Sequence, residues 1–271
     1  MSGADAPAGA PDLHCVTLNV RRPVPHLRRG HPDAWDTRRP ALEAFLDAVR
    51  PTVLAVQEAV PAQLTVVRRV LGDRWLPVVS ARSRARSAEH VGLLVDGERL
   101  RVVDRRTVAL STRPDRIGSR SWGSLFPRIA VAAVLDDLAT GTRFSAIATH
   151  LDPFSPPALR NGARAVGALA ASAGTPVVAM ADWNASERSS SARVLSDAGL
   201  VDTWDVAESR GPASGTLTRY RSPRSGAPRL DRVLVRPGGG WTARVRSASI
   251  TPTAASDHAA VHAVLRWERT A

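Results

Sequence analysis

Several apolar runs of this 271-residue chain stop at side chains able to do chemistry: Asn19, Gln57-Glu58, His150 with Asp152, and Asp182 with Asn184. Ser256-Asp257-His258 stands just before the final run. Carboxylates and imidazoles transfer protons and hold metal ions, and carboxamides donate hydrogen bonds to anions. Each piece also has an ordinary explanation. Asp-x-Asn after a strand is a common turn closed by side chain to backbone hydrogen bonds. A lone His is often a satisfied structural residue, and Gln57-Glu58 could be a solvated strand end. Taken together they favour a site, because strand ends on one edge of a sheet converge on one crevice. Cys15 is the only cysteine. It allows no intramolecular disulfide and no zinc site built on several thiolates, so any metal must rest on oxygen or imidazole.

The elements that must carry these groups follow from hydrophobic spacing. Cys15–Val20 reads as a short buried strand, 36–49 as a helix ended by Pro51, and Val53–Val56 as a central strand with polar groups at its exit. A helix follows over 62–71. From 76 to 135 the apolar runs are short and rich in β-branched residues (76–79, 91–95, 102–110, 129–135), which predicts a meander of strands. Then come a strand over 144–148, a helix over 158–171, a strand over 176–181 and helical spacing over 188–198. Residues 208–228 form a Gly, Pro, Ser and Arg-rich stretch expected to be a mobile loop, and strands at 230–235, 243–250 and 260–267 close the chain. Strands outnumber helices about two to one, which favours two sheets packed face to face with helices outside. One domain over 12–271 is expected, after a flexible leader over 1–11.

The formal net charge is +12, suited to polyanions such as nucleic acid, anionic membrane surfaces or phosphorylated small molecules. All 37 basic residues are arginine, which fits a GC-rich genome as well as a polyanion site. Arg82 to Arg86 and Arg219 to Arg229 are candidates for an electropositive rim or for solvated loops. No apolar run approaches the roughly 20 residues that span a bilayer, and the first residues lack a signal-peptide pattern. A cytoplasmic, monomeric protein with no membrane contact is the expectation.

The order of these motifs resembles the endonuclease/exonuclease/phosphatase superfamily, which includes DNase I-like nucleases, abasic-site endonucleases, sphingomyelinases and inositol-polyphosphate phosphatases. The residues carrying the likeness are 17–20 (TLNV), Gln57-Glu58, 148–152 (ATHLD), 181–184 (ADWN), 229–232 (RLDR) and 256–258 (SDH), over nearly the whole chain. The resemblance implies a four-layered α/β/β/α sandwich with the site at one edge of the paired sheets. It implies Glu58 as principal ligand of Mg²⁺, or of Mn²⁺, with Asn19 and Asp257 near the ion, an oxygen set that Mg²⁺ tolerates because it keeps several waters. It further implies His258 over the scissile phosphate with Asp231 on its other ring nitrogen, Asp182 as partner of the attacking water, Asn184 as a donor to phosphate, and His150 on the opposite side. Glu89 falls where relatives place a carboxylate that orients this histidine, and Arg128 where several carry a basic residue near the phosphate.

The sequence departs from the family pattern in places. Ala181 replaces the usual Gly before Asp-x-Asn, Trp183 is larger than the common Phe, and Arg232 stands where many relatives have an aromatic, implying a more basic pocket wall. Asp152 fits either metal-site support or a helix-start turn, and Arg160 and Asn161 read as helix-surface residues. The stretch Asn19-Val20-Arg21 followed by 35–39 (WDTRR) resembles a bacterial branch of small hydrolases. The inositol 5-phosphatase signature box is absent, and no membrane-contacting hairpin of the sphingomyelinase kind is visible. The implied activity is hydrolysis of phosphate esters, on a small molecule or, as the alternative, on nucleic acid. A catalytically silent basic binding module is the non-enzyme reading, disfavoured by the presence of Glu58, Asp182 and His258.

Overall fold

The structure, a computed structural model, describes residues 11–270. The expected leader lies, except for Pro11, outside the described residues. In chain order the elements are β1 (Leu13–Asn19), α1 (Trp35–Val49), β2 (Val53–Ala59), α2 (Pro61–Leu71), β3 (Trp75–Ala81), β4 (His90–Asp96), β5 (Leu100–Ala109), β6 (Ile129–Asp137), β7 (Arg143–His150), α3 (Pro156–Ala171) and β8 (Val177–Asp182). They continue with α4 (Ser190–Asp197), β9 (Val201–Asp202), α5 (Thr203–Val206), β10 (Ser209–Arg210), β11 (Asp231–Arg236), β12 (Trp241–Thr251) and β13 (Ala260–Arg269). The strands form a seven-stranded sheet ordered β10-β12-β13-β1-β2-β4-β3 and a six-stranded sheet ordered β5-β6-β7-β8-β11-β9.

Strand alternation divides each strand's side chains between two cores. Leu13 and Cys15 of β1, Ala146 and Ala148 of β7, Val178 and Met180 of β8, and Val233 and Val235 of β11 meet between the sheets. Val16 and Leu18 of β1 face the other way, against Leu42, Phe45 and Leu46 of α1 and Val67 and Leu71 of α2. Ile147 and Ala179 pack outward against Ala163, Val166 and Ala170 of α3 and Leu195 of α4. The result is the four-layered α/β/β/α sandwich.

The same alternation aims the chemistry. Asn19 continues the inward series of Leu13, Cys15 and Thr17, His150 that of Ala146 and Ala148, and Asp182 that of Val178 and Met180. Asp231 precedes Val233 and Val235 in the same phase. All four therefore emerge at one edge of the space between the sheets.

The structure extends several expected elements. The strand expected to stop at Ala148 runs on to His150, and α2 begins at Pro61, whose missing N–H costs nothing at a first helical position. The short elements β9, α5 and β10 were not legible, being only two to four residues long. The stretch 208–228 is not the wholly mobile loop expected. Thr216 is fully buried, Leu217 bridges His258, and the Tyr220 hydroxyl donates to Asp33 Oδ1 at 2.6 Å.

A polar pair lies away from the strand ends just described, where half-buried His14 and buried His262 bring Nε2 and Nδ1 to 3.0 Å. Burial first, and the neighbouring His14 second, push His262 down to about 4. An unfolded His titrates near ~6.5, so the native state resists a proton that the unfolded chain accepts. Its contribution is complete above ~6.5 and is lost as pH falls toward about 4, by roughly 3 kcal/mol at most. Urea unfolding at pH 7 and pH 4.5 should show His262→Leu losing about 2 kcal/mol less stability on acidification than the parent. Equal losses would show that this pair does not drive the acid sensitivity.

Candidate active site

Asn19 sits at the last position of β1, opposite Gln57 of the parallel strand β2. Its Nδ2 donates to Glu58 Oε1 at 2.9 Å and to Asp182 Oδ2 at 3.0 Å. One amide thus joins a carboxylate of each sheet. Glu58 is displaced from the regular ladder where the β2–β4 register shifts between Val56 and Ala59, and it has a left-handed φ of 59°. Arg21 (52°) and Asn184 (48°) are also left-handed. Such conformations cost about 1–3 kcal/mol in non-glycine residues and gather at functional sites.

Across the cleft, β8 and β11 pair with Asp182 opposite Asp231. His258 Nδ1 lies 2.7 Å from Asp231 Oδ2, and its Nε2 lies 3.8 Å from Asp182 Oδ2. His150 Nε2 approaches the same Asp182 oxygen at 3.5 Å. Burial pulls the His258 pKa down, but Asp231 and Asp182 outweigh it and raise it, so this imidazole is held protonated. Burial, reinforced by Asp231, raises Asp182. His150 moves the opposite way, far below its ordinary value, because burial and the Arg128 guanidinium both oppose its charge. The two histidines therefore differ in character: a cation at His258, a neutral ring at His150.

A cavity of about 290 Å³ opens onto these groups, lined among others by Glu58, Arg82, Arg128, His150, Asp182 and His258. Arg128 is buried, and its Nε has no hydrogen-bond partner. Asn184 also lines the cavity, its Nδ2 giving one N–H to Leu151 O at 3.0 Å. Its backbone N–H donates to Asp182 Oδ1 at 3.0 Å, so the Asp-x-Asn turn and the candidate site are the same object.

Two expectations need correction. Glu89 does not orient His150: its oxygens receive Arg22 at 3.2 Å and Arg82 at 2.6 Å, and the carboxylate near His150 is Asp182. Arg232 does not make the pocket wall basic. It is buried, 3.9 Å from Asp202, with its guanidinium over the Trp183 ring, outside the residues lining the cavity. Trp183 itself is core, its indole N–H donating to Arg232 O at 3.1 Å. Asp152 forms the turn before α3, accepting from Phe154 N and Ser155 N at 2.8 Å. Asn161 accepts from Arg164 on the α3 surface.

The sequence reading did not assign roles to Arg22, Arg38 or Asp33. Arg38 is fully buried and donates to the carbonyls of Val20 (2.9 Å), Arg21 (2.9 Å), Arg22 (3.3 Å), Asp33 (3.0 Å) and Ala255 (3.0 Å). It therefore ties the loop after Asn19 to the loop before His258. Despite its burial, Asp33 is held down at about 2 by Arg21 and the Tyr220 hydroxyl. An Arg beginning a helix looks like surface by residue type, so only its phase with Leu42 could have pointed inward.

The donors fit a hard divalent cation. Glu58 offers both oxygens, engaged among the described residues by Asn19 Nδ2 and Arg22 N (3.2 Å) alone, and Asp257 stands half-buried beside Ser256, its Oδ2 3.8 Å from Arg21. Asn19 presents its nitrogen to the carboxylates, while its Oδ1 accepts from Arg21 N at 2.9 Å. In this arrangement it orients Glu58. Asp182, Asp231 and His258 also lie close enough together to enclose an ion, but His258 already spends Nδ1 on Asp231 and is held protonated.

The model of the Endonuclease/Exonuclease/phosphatase family matches residues 16–258, and the chain belongs to that family. Its members are hydrolases acting on phosphate esters. No curated protein matches the chain. Among solved structures, it is similar to the endonuclease/exonuclease/phosphatase of Bacteroides vulgatus (TM-score 0.85, 23% identity, 95% of this chain and 99% of that one). It is also similar to the mannosyl-6-phosphatase of Bacteroides thetaiotaomicron (0.83, 19%, 94% and 99%). D. rerio TDP2 complexed with single-strand DNA product shares the fold at 0.69, with 15% identity over 94% and 99% of the chains. Among the described residues no helix is long and apolar enough to cross a membrane.

Arg38→Met should lower stability by roughly 3–5 kcal/mol in urea unfolding, because it leaves several buried carbonyls without donors. A loss under 1 kcal/mol would show that these bonds are replaceable by water.

Proposed function

We propose that this protein is a divalent-metal-dependent hydrolase of phosphate esters, a phosphodiesterase or phosphatase. The observation that carries the reading is the His258–Asp231 contact at 2.7 Å, with Asp182 facing both His258 and His150 beneath an arginine-lined cavity. Glu58 and Asp257 would hold Mg²⁺ or Mn²⁺, with Asn19 orienting Glu58. When bound, the ion would neutralise charge gathering on a non-bridging phosphate oxygen. Arg128, whose buried Nε lacks a partner, together with Asn184, donates to the phosphate and holds it over Asp182.

Asp182 accepts a hydrogen bond from the attacking water and receives its proton as the new P–O bond forms. His258, kept cationic by Asp231, points Nε2–H toward the phosphate. It stabilises the developing charge and can pass that proton to the departing oxygen as the old P–O bond breaks. Neutral His150 donates from the other side without adding a further buried cation to those of His258 and Arg128.

Hydrolysis of bis-p-nitrophenyl phosphate and p-nitrophenyl phosphate in Mg²⁺ or Mn²⁺ tests this directly. EDTA should abolish turnover, and Glu58→Gln and His258→Ala should each lower kcat at least a hundredfold with the fold intact by circular dichroism. Turnover that survives EDTA, or no turnover together with no metal binding by calorimetry, would overturn the reading.

A further inference from the structure

Between β5 and β6 the chain makes a long excursion, residues 110–128, without regular secondary structure. It is built rather than slack. The Ser111 and Ser119 hydroxyls lie 2.6 Å apart, and Thr112 Oγ1 and Ser121 Oγ 2.9 Å apart. Ser124 Oγ reaches Asp152 Oδ2 at 2.5 Å, and Ser155 Oγ donates to Trp122 O at 2.6 Å. These last two bonds fasten the loop to the turn that follows His150. Trp122 is held at a φ of 56°, which a bulky residue adopts only under constraint.

The loop encloses an open, polar cavity of about 520 Å³ lined by Arg113, Arg116, Arg120 and Trp122. The three arginines are exposed, and among the described residues none forms an ion pair, although Asp115 lies on the same loop. At its inner end the loop delivers Phe126 to the wall of the catalytic cavity beside Phe154. Their ring centroids are 6.5 Å apart, and the two residues are 42% and 61% exposed. Arg82 Cζ lies 4.9 Å from the Phe126 ring centroid, so that ring already has a cation–π partner, and Phe154 is the more exposed aromatic beside the phosphate site.

We infer that loop 110–128 is the binding track for single-stranded nucleic acid leading into the catalytic cavity. Arg113, Arg116 and Arg120 take backbone phosphates, and Phe154, flanked by Phe126, stacks a base next to the reacting phosphate. A basic groove that ends on aromatic platforms is the chemistry of single-strand binding, since every base has a π-face and every linkage a charge. A lone small phosphate ester would fill the catalytic cavity and leave the second one unused. The inference rests on the phosphoesterase reading for the cavity into which the track leads.

The test is fluorescence anisotropy of a labelled 12-nucleotide oligothymidylate against the full chain in EDTA, with bis-p-nitrophenyl phosphate hydrolysis in Mg²⁺ measured in parallel. The triple variant Arg113→Glu/Arg116→Glu/Arg120→Glu should weaken oligonucleotide binding more than tenfold. It should also reduce the slope of log K against log salt by about 2. The triple Lys variant should bind within about threefold of the parent, and Phe154→Ala should weaken binding about tenfold. Hydrolysis of the small diester by both triple variants should match the parent.

Oligonucleotide binding that the Glu variant leaves unchanged, with the small diester still hydrolysed, overturns this inference alone. So does binding to phosphatidylserine vesicles in place of the oligonucleotide. Arginine-dependent oligonucleotide binding with neither the diester nor p-nitrophenyl phosphate hydrolysed, and no metal bound by calorimetry, supports the track and overturns the hydrolase reading instead.

Discussion

Everything at this site depends on one amide. Asn19 Nδ2 is shared between Glu58 on one sheet and Asp182 on the other. The shared proton donor keeps two carboxylates close without either having to neutralise the other. It also converts the packing of two sheets into the spacing of two functional groups. Neither sheet alone contains a site: Asn19 and Glu58 belong to the seven-stranded sheet, His150, Asp182 and Asp231 to the six-stranded one. The hydrophobic contact between the sheets is therefore what sets the geometry of the chemistry, since close-packed interiors transmit position with little slack.

The loops around the edge are held with the same economy. Arg38 gathers carbonyls from the segments that follow β1 and precede β13, and Ser256 links them again by donating to Asn19 O at 2.5 Å. Thr216 Oγ1 accepts from the backbone of Leu230 and Asp231 at 2.9 and 3.0 Å, so a stretch that reads as loose sequence supports the carboxylate paired to His258. A buried guanidinium with five carbonyl partners positions two loops at once, which a point-charge ammonium could not do.

Electrostatics then divides the labour between like residues. Asp231 behind His258 favours a cation there, whereas Arg128 near His150 favours a neutral ring, and both effects are strong because the groups are dry. Glu89 is spent on balancing Arg22 and Arg82. The net positive charge of the chain is thus partly answered inside the site and left unanswered on the loop between β5 and β6.

Much of the fold was legible in the order of residues, because period-two and helical spacing are local properties. The apolar runs at 53–56 and 176–181 end in polar residues, and that local pattern alone marks Glu58 and Asp182 as strand-exit groups. The motif order also carried the four-layered sandwich and the grouping of Asn19, His150, Asp231 and His258. What the sequence could not decide was partnership. Whether Glu89 meets a histidine or an arginine, whether Arg232 faces a pocket or Trp183, and that Arg38 is buried are set by residues distant in the chain. Such contacts depend on how two sheets and their helices pack in three dimensions, and no spacing along one strand encodes them.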